Sequence, residues 1–507
     1  MIFALRQGHY RDDIRTGTAS ASLLQKLSPL QSLARRHPRT VRNIMKNRFR
    51  LRQRWSVTIL IIALMLFTGT VLMMGHRASG VPPSRTTVPG APQRIVAIAD
   101  VHGAYEEFLG ILQRMDLIDA GHKWAGGATI FVQVGDVPDR GPETRKALDL
   151  LMELEREAPA QGGKVIPLLG NHEVMQMMGD PRYTTPADFQ SFATEQSERV
   201  RDDAYQDYRK FIAQNQRVRE VPDDETAHQQ WLARHPLGFF EERDAYAPDG
   251  VYGRWLRTHD AVAQLGDVLF MHAGLDPELH FRSVEDLNRK IRSEITDFDK
   301  LWQALAQEKI IWRYMTLEEA FNQAKLRYEA AQSGLPGAPA DAEQMRRMIE
   351  LPSGLLMSNH SPLWYRGLAL EPEERNEKGL NKMLDRLGAH YIVVGHTVLA
   401  GHTITVRFAG RVFLIDTGML RSYYGGRASA LEIQAGKFTA YYADDPNPHV
   451  LVGENGPATA SVHFLPGHFS CRSQPASDSV KHQDSLQIPC LPSAAEALIE
   501  VAGAYVK

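Results

Sequence analysis

The chain has 507 residues, 43% of them hydrophobic and 23% charged, with two cysteines. At roughly 150 residues per domain this allows two or three domains, or one large domain with insertions. It excludes a disordered chain, a collagen-like rod, a disulfide-dense scaffold and a Cys-based zinc finger. The net charge of −2 hides a split: residues 1–54 hold 13 Lys and Arg against two Asp, a net +11, which leaves −13 for the rest. An acidic remainder argues against duplex nucleic acid as a ligand. A mean hydropathy of −0.32 argues against a polytopic membrane protein.

Residues 55–75, WSVTILIIALMLFTGTVLMMG, carry no charge. At 1.5 Å per residue they span about 31 Å, close to the hydrocarbon thickness of a bilayer, and predict one transmembrane helix or signal anchor. The basic cluster before it predicts that residues 1–54 face the cytoplasm and that residues 76–507 are extracytoplasmic, periplasmic in a bacterium. A start at Met45 with cleavage near Ala78-Ser79-Gly80 would release the same portion. Residues 76–93 are rich in Pro and Gly and read as a linker.

From Arg94 short β-branched runs recur, each ending in a polar cluster: RIVAIADVHG, TIFVQVGDVPDRG, KVIPLLGNHE, VLFMHAGL, YIVVGHTV and RVFLIDTGM. They predict buried strands. Residues 105–118 and 144–157 between them predict helices, which makes the portion 94–445 an α/β layered sandwich. Ligands in such folds gather at the carboxyl ends of strands. Residues 182–250 and 283–350 are charged, helical in pattern and read as insertions, either a cap over the site or solvated surface helices. Residues 446–507 read as a tail with one closing apolar helix. Its Cys471 and Cys490 are expected to pair in an oxidising compartment.

Six side chains sit at predicted strand ends: Asp100, His102, Asp136, Asn171, His272 and His396. Carboxylate, imidazole and amide oxygen together suit divalent Mn, Fe or Zn. Taken singly, each has a plainer reading: a lone strand-end Asp is a turn or cap, and a lone His is hydrogen-bonded. Six donors in this order are about what two neighbouring ions need, the clamp used in phosphate-ester hydrolysis. The Met cluster at 174–180 reads as core, YYGGR as a tight turn near the site, and His402 as structural. No P-loop and no GxSxG motif is present.

ADVHG, GDVPDRG, GNHE, MHAGL and VVGHTV resemble the calcineurin-like metallophosphoesterases. DRG and GNHE narrow the likeness to the phosphoprotein phosphatase branch, and GNHEVMQMMGDPRY, GRWLRTHDAV, SPLWYRG and IDTGMLRSYYGG to its Shewanella-like subgroup. The resemblance covers residues 94–435. It implies a four-layer α-β-β-α sandwich, with a first metal held by Asp100, His102 and Asp136 and a second by Asp136, Asn171, His272 and His396. It further implies a metal-activated hydroxide, Arg140 and Arg366 on the phosphoryl oxygens, His172 as general acid and Asp139 as its partner. Ala273 and Pro138 depart from the family pattern, at a glycine and at an apolar position. The implied activity is a phosphomonoesterase acting on phosphoproteins of the Ser/Thr type. The alternative is a hydrolase of small phosphate esters such as nucleotides or dinucleoside polyphosphates. A catalytically dead scaffold predicts lost ligands, and none of the six is lost.

Overall fold

The computed structural model describes residues 94–216, 225–332, 341–453 and 456–457. The basic segment 1–54, the predicted span 55–75, the linker 76–93, Cys471, Cys490 and the predicted closing helix lie outside them. Among the described residues no helix is long and apolar enough to cross a membrane.

The strands run, in chain order, β1 Arg94–Ile98, β2 Ile130–Gln133, β3 Lys164–Pro167, β4 Val262–Leu265, β5 Val268–Met271, β6 Tyr391–Val394, β7 Thr405–Arg407, β8 Val412–Leu414, β9 Ser429–Gln434, β10 Lys437–Tyr442, β11 Asp445–Gly453 and β12 Gly456–Pro457. They form a seven-stranded sheet in the order β12-β11-β10-β9-β1-β2-β3 and a five-stranded sheet in the order β4-β5-β6-β8-β7. Each has a parallel core, β1-β2-β3 in one and β5-β6-β8 in the other, flanked by antiparallel strands.

Alternation along the strands sorts the side chains into two sets. Ile95, Ala97, Val132, Val268, Phe270, Val393, Phe413, Leu431 and Phe438 share one buried cluster, to which both sheets contribute. Phe413 of one sheet stacks on Phe438 of the other, with centroids 4.4 Å apart and rings 7° from parallel. The opposite faces, Val96 and Ile98 in one sheet and Leu269, Met271, Ile392 and Val394 in the other, join the helical core. Helices Tyr105–Arg114 and Thr144–Glu157 bury Phe108, Ile111 and Leu112, and Ala147, Leu148, Leu151 and Leu154, at helical spacing. Helices Val284–Gln307 and Glu373–Leu387 supply Leu287, Ile291, Leu380 and Leu384 to the same core. The result is the expected α-β-β-α layering, built from mixed sheets.

Two expected boundaries move. Residues 105–118 are helical only to Arg114: Asp116 adopts φ +53, and Ile118 leaves the helix to bridge Trp124. The boundary at 445 falls inside the sheet, because β11 pairs with β10 and β12 with β11. Asp445–Gly453, DPNPHVLVG, opens with Asp, Pro, Asn and Pro and is largely exposed, without the apolar alternation of a half-buried strand. The insertions are helical, with Pro186–Phe192, Ser197–Gln216, Glu225–Arg234 and Phe239–Tyr246 in the first, and Val251–Leu256 directly after it. The second holds Val284–Gln307, Leu317–Gln332 and Ala342–Glu350. Between them lies a groove of about 1070 Å³ lined by Lys210, Arg243, Trp302, Trp312 and Tyr314, among others, and by none of the predicted site residues. Met175, Met177 and Met178 are buried core residues.

Candidate metal centre

All six predicted donors lie within a few residues of a strand's carboxyl end, and all are at least nine-tenths buried. Asp100 and His102 follow β1, Asp136 follows β2, Asn171 follows β3, His272 follows β5 and His396 follows β6. Two three-residue groups bring their ligand atoms within 4.8 Å of one another: His102, Asp136 and His172, and Asp136, His272 and His396. Asp136 belongs to both.

Hydrogen bonds decide which atom of each residue is free. His102 Nδ1 donates to the Pro138 carbonyl at 3.0 Å and His272 Nδ1 to the Val134 carbonyl at 3.0 Å, so each presents Nε2 to the site. Asp136 Oδ1 accepts the His172 backbone N–H at 3.0 Å, leaving Oδ2 inward. That oxygen is 3.1 Å from His272 Nε2 and 3.7 Å from His102 Nε2. His272 Nε2 is also 2.9 Å from Asn171 Oδ1 and 2.9 Å from His396 Nδ1. Ligands about 2.1 Å from an ion and at right angles are themselves about 3 Å apart, so this donor set fits a divalent cation. Asp100 Oδ2 lies 3.7 Å from His102 Nε2, and Asp100 Oδ1 accepts the His396 N–H at 2.9 Å.

The charge balance agrees with that fit. Burial, then Asp416, pushes Asp100 well above the usual carboxylate range, and burial pushes Asp136 up to about 8. Burial holds His272 below, and His102 and His396 well below, the ordinary histidine value. Carboxylates and imidazoles packed together are short of positive charge that only a bound cation or protons supply. His396 Nε2 is buried with no hydrogen-bond partner.

The backbone is shaped to this end. His102, Asp136, Asp139, Arg140 and His396 all adopt positive φ, between +49 and +73. Each such residue costs on the order of 1–3 kcal/mol and is held by its surroundings. Gly170 lets two loops touch: a Cβ there would lie 2.3 Å from Asp136 Oδ1. At Gly395 a Cβ would lie 2.4 Å from Asp100 Oδ1.

Beside the donors sits a second constellation. His172 Nδ1 meets Asp139 Oδ2 at 2.6 Å, and Asp139 Oδ1 accepts from Gln176 Nε2 at 2.6 Å and Thr184 Oγ1 at 2.8 Å. Burial pushes Asp139 up to about 6, while burial and then Arg140 hold His172 well below its ordinary value. Arg140 packs over the Tyr183 ring, 5.0 Å from its centroid, and donates to the Tyr424 hydroxyl. Its Nη1 also meets His102 Nε2, an atom it cannot share with an ion. Arg366 Nη1 donates to the His396 carbonyl at 2.8 Å and to Thr397 Oγ1 at 2.9 Å, which sets it at the rim. The first insertion reaches the site through Thr184 and through Tyr183, whose ring is 5.0 Å from that of His172.

Sequence reasoning missed three contributors. Glu173 takes the Asp136 and Gly170 N–H groups on Oε2, at 2.9 and 2.8 Å, and the Val137 N–H on Oε1 at 2.7 Å. It thus ties the loop after β2 to the loop after β3. Asp416 ends the run RVFLID as Asp100 ends RIVAIAD, a signal that was readable in the sequence. Tyr424, expected only to mark a turn before Gly425, reaches back to Arg140. His402 Nδ1 meets the Thr417 carbonyl at 3.3 Å, a structural contact. Pro138 is accommodated because the loop uses its carbonyl and not an N–H, and the Ala273 N–H donates to the Pro362 carbonyl at 2.8 Å.

Glu173→Ala orphans three buried N–H groups, each at a cost of about 1–3 kcal/mol. The melting temperature is expected to drop and metal content to fall with it. An unchanged melting curve would mean that the two loops hold their shape without this carboxylate.

Residues 93–400 match the model of the calcineurin-like phosphoesterase family, and the chain belongs to that family. Its members' chemistry, hydrolysis of phosphate esters with divalent metals, is what this donor set equips the chain to do. The chain is 35% identical over 212 residues to Shewanella-like protein phosphatase 2 of Arabidopsis thaliana, spanning 41% of this chain and 53% of that one. It is 26% identical over 339 residues to Shewanella-like protein phosphatase 1 of Plasmodium berghei, spanning 66% and 69%. Among solved structures, a cold-active protein-tyrosine phosphatase of a psychrophilic Shewanella aligns with a TM-score of 0.45 and 22% identity, over 71% of this chain and 80% of that one.

Proposed function

We propose that the protein is a phosphomonoesterase working with two divalent ions, and that its substrates are phosphoproteins of the Ser/Thr type. One observation carries the reading: Asp136 Oδ2 stands between His102 Nε2 and His272 Nε2, with the His172–Asp139 pair beside it. Asp100, His102 and Asp136 are assigned to one ion and Asp136, Asn171, His272 and His396 to the other, with Mn, Fe or Zn suiting these donors. A divalent ion held by these residues would supply an acidified water and offset charge on the phosphoryl group.

The rest falls to the chain's own side chains. Arg140 and Arg366 hold the phosphoryl oxygens, a forked task for which guanidinium is suited. Arg140 must turn from His102 Nε2 to do so. His172 delivers a proton from Nε2 to the departing alkoxide, and Asp139 keeps the ring oriented through Nδ1. The reading is tested by turnover of phosphoserine peptides, nucleotides and dinucleoside polyphosphates by the purified chain with added Mn, Fe or Zn. Peptide turnover at the highest kcat/KM supports it. Preference for the nucleotides replaces the phosphoprotein with a small phosphate ester as substrate.

The location follows from charge. Residues 55–75 are assigned as the membrane span, with the +11 segment cytoplasmic and the catalytic portion on the other side. A reporter active only outside the cytoplasm is expected to work when fused after Lys507. Activity of a cytoplasmic reporter alone would put the catalytic portion inside.

A further inference from the structure

Both sheets have a parallel core of three strands. Five of those six strands, β1, β2, β3, β5 and β6, deliver a donor of the proposed metal centre at their carboxyl ends. The sixth, β8, delivers Asp416, to which that centre assigns nothing.

Asp416 is 4% exposed. Its Oδ1 accepts the Gly418 N–H at 3.0 Å, while Oδ2 is buried with no hydrogen-bond partner. The carboxyl lies within hydrogen-bonding reach of that of Asp100, the residue that receives the His396 N–H. Asp136 and Arg140 are also close enough to act on it electrostatically.

A purely structural residue here would be better served by another side chain. The turn at Gly418 needs one acceptor oxygen, and Asn supplies it. Asn would also offer Asp100 an N–H, where Asp offers a second acceptor facing an acceptor. A buried carboxyl with one oxygen unpartnered beside another carboxyl needs either a shared proton or a cation between the two. Asn would serve the turn and Asp100 without a carboxyl, so what Asp adds at 416 is a donor oxygen for an ion beside Asp100.

We propose that Asp416 is a further carboxylate donor to the ion held by Asp100, His102 and Asp136, with Oδ2 as the donor atom. This rests on the two-ion reading above. It makes the two halves of the fold alike, since every strand of both parallel cores then contributes to the centre. It also gives the ion on the Asp100 side a fourth protein donor, and so a tighter hold than Asp100, His102 and Asp136 provide alone.

The test is binding, not turnover. The full chain is stripped with a chelator and titrated with Mn²⁺, free Mn²⁺ being followed by its paramagnetic resonance. The unsubstituted chain is expected to take up two ions. Asp416→Asn is expected to bind one of them as before and the other at least ~10-fold more weakly, the scale of losses seen for groups that support a metal site. Asp416→Ser, which keeps a hydroxyl for the Gly418 N–H and removes the carboxylate, is expected to do the same; it carries the test if the Asn variant misfolds. His272→Ala serves as the counterpart and should weaken the other ion. Two ions bound with unchanged affinity in both Asp416 variants would overturn the proposal while leaving the two-ion reading intact. If the unsubstituted chain binds no Mn²⁺, the two-ion reading and the role of Asp416 fall together.

Discussion

On the two-ion reading proposed above, Asp136→Asn is expected to cost the protein both ions and to lower turnover by on the order of 10²–10³-fold, the scale of removing one preorganised charge-stabilising group from an active site. The substitution is nearly isosteric. The amide oxygen still accepts the His172 N–H that Asp136 Oδ1 takes at 3.0 Å, and the backbone carbonyl still receives Val101 and His102 at 2.9 and 3.0 Å. What changes is Oδ2. Where an anionic oxygen stood 3.1 Å from His272 Nε2 and 3.7 Å from His102 Nε2, there is now an N–H₂ group with no lone pair to give. Both donor groups lose the one member they share, whereas Asn171→Ala removes a donor from one group alone. Metal analysis should therefore separate the two variants: Asp136→Asn well below one ion per chain, Asn171→Ala near one. The metal-free variant should melt no lower than the metal-free parent, because an uncompensated buried carboxylate stabilises nothing. Two ions per chain and near-normal rates in Asp136→Asn would end the assignment of Asp136 as a bridge.

The strand ends were legible because the signal is local. An apolar run of four to six residues closed by Asp, Asn or His states both the strand and the place where its last side chain emerges. Asp100, Asp136, Asn171, His272 and His396 were found that way, and the same rule applied to RVFLID would have added Asp416. Side chains that act through a second loop were not legible. Nothing in GNHE says that the glutamate accepts N–H groups 37 and 36 positions earlier in the chain, at Asp136 and Val137. Nor does YYGGR say that Tyr424 meets Arg140, 284 positions away. The layering was readable from strands alternating with helices. The strand Asp445–Gly453 was not, since its side chains are largely exposed and backbone pairing to β10 holds it in place.

His172→Ala is expected to keep its ions and to lose about 10²–10⁴-fold in activity on phosphoserine peptides, the usual contribution of a positioned general acid. On p-nitrophenyl phosphate the loss should be distinctly smaller, because nitrophenolate leaves without a proton and a serine alkoxide does not. The geometry admits a rival. His172 belongs to one of the two ligand groups, its Nε2 being 3.7 Å from Asp136 Oδ2, the same distance as His102 Nε2. What sets His172 apart is the other side of the ring. His102 and His272 give Nδ1–H to backbone carbonyls, a bond that fixes a neutral ring as a ligand, whereas His172 gives it to the Asp139 carboxylate at 2.6 Å. Burial and then Arg140 hold the ring well below its ordinary value; the Asp139 carboxylate works against them, favouring the doubly protonated form that a proton donor needs and a ligand does not. Gln176 and Thr184 hold that carboxylate in place from the far side. His272→Ala, by contrast, should harm both substrates alike and bring metal content down. Rates on both substrates and metal stoichiometry for the two variants decide the matter. Loss of an ion in His172→Ala would make it a ligand, and equal losses on both substrates would make it a structural residue.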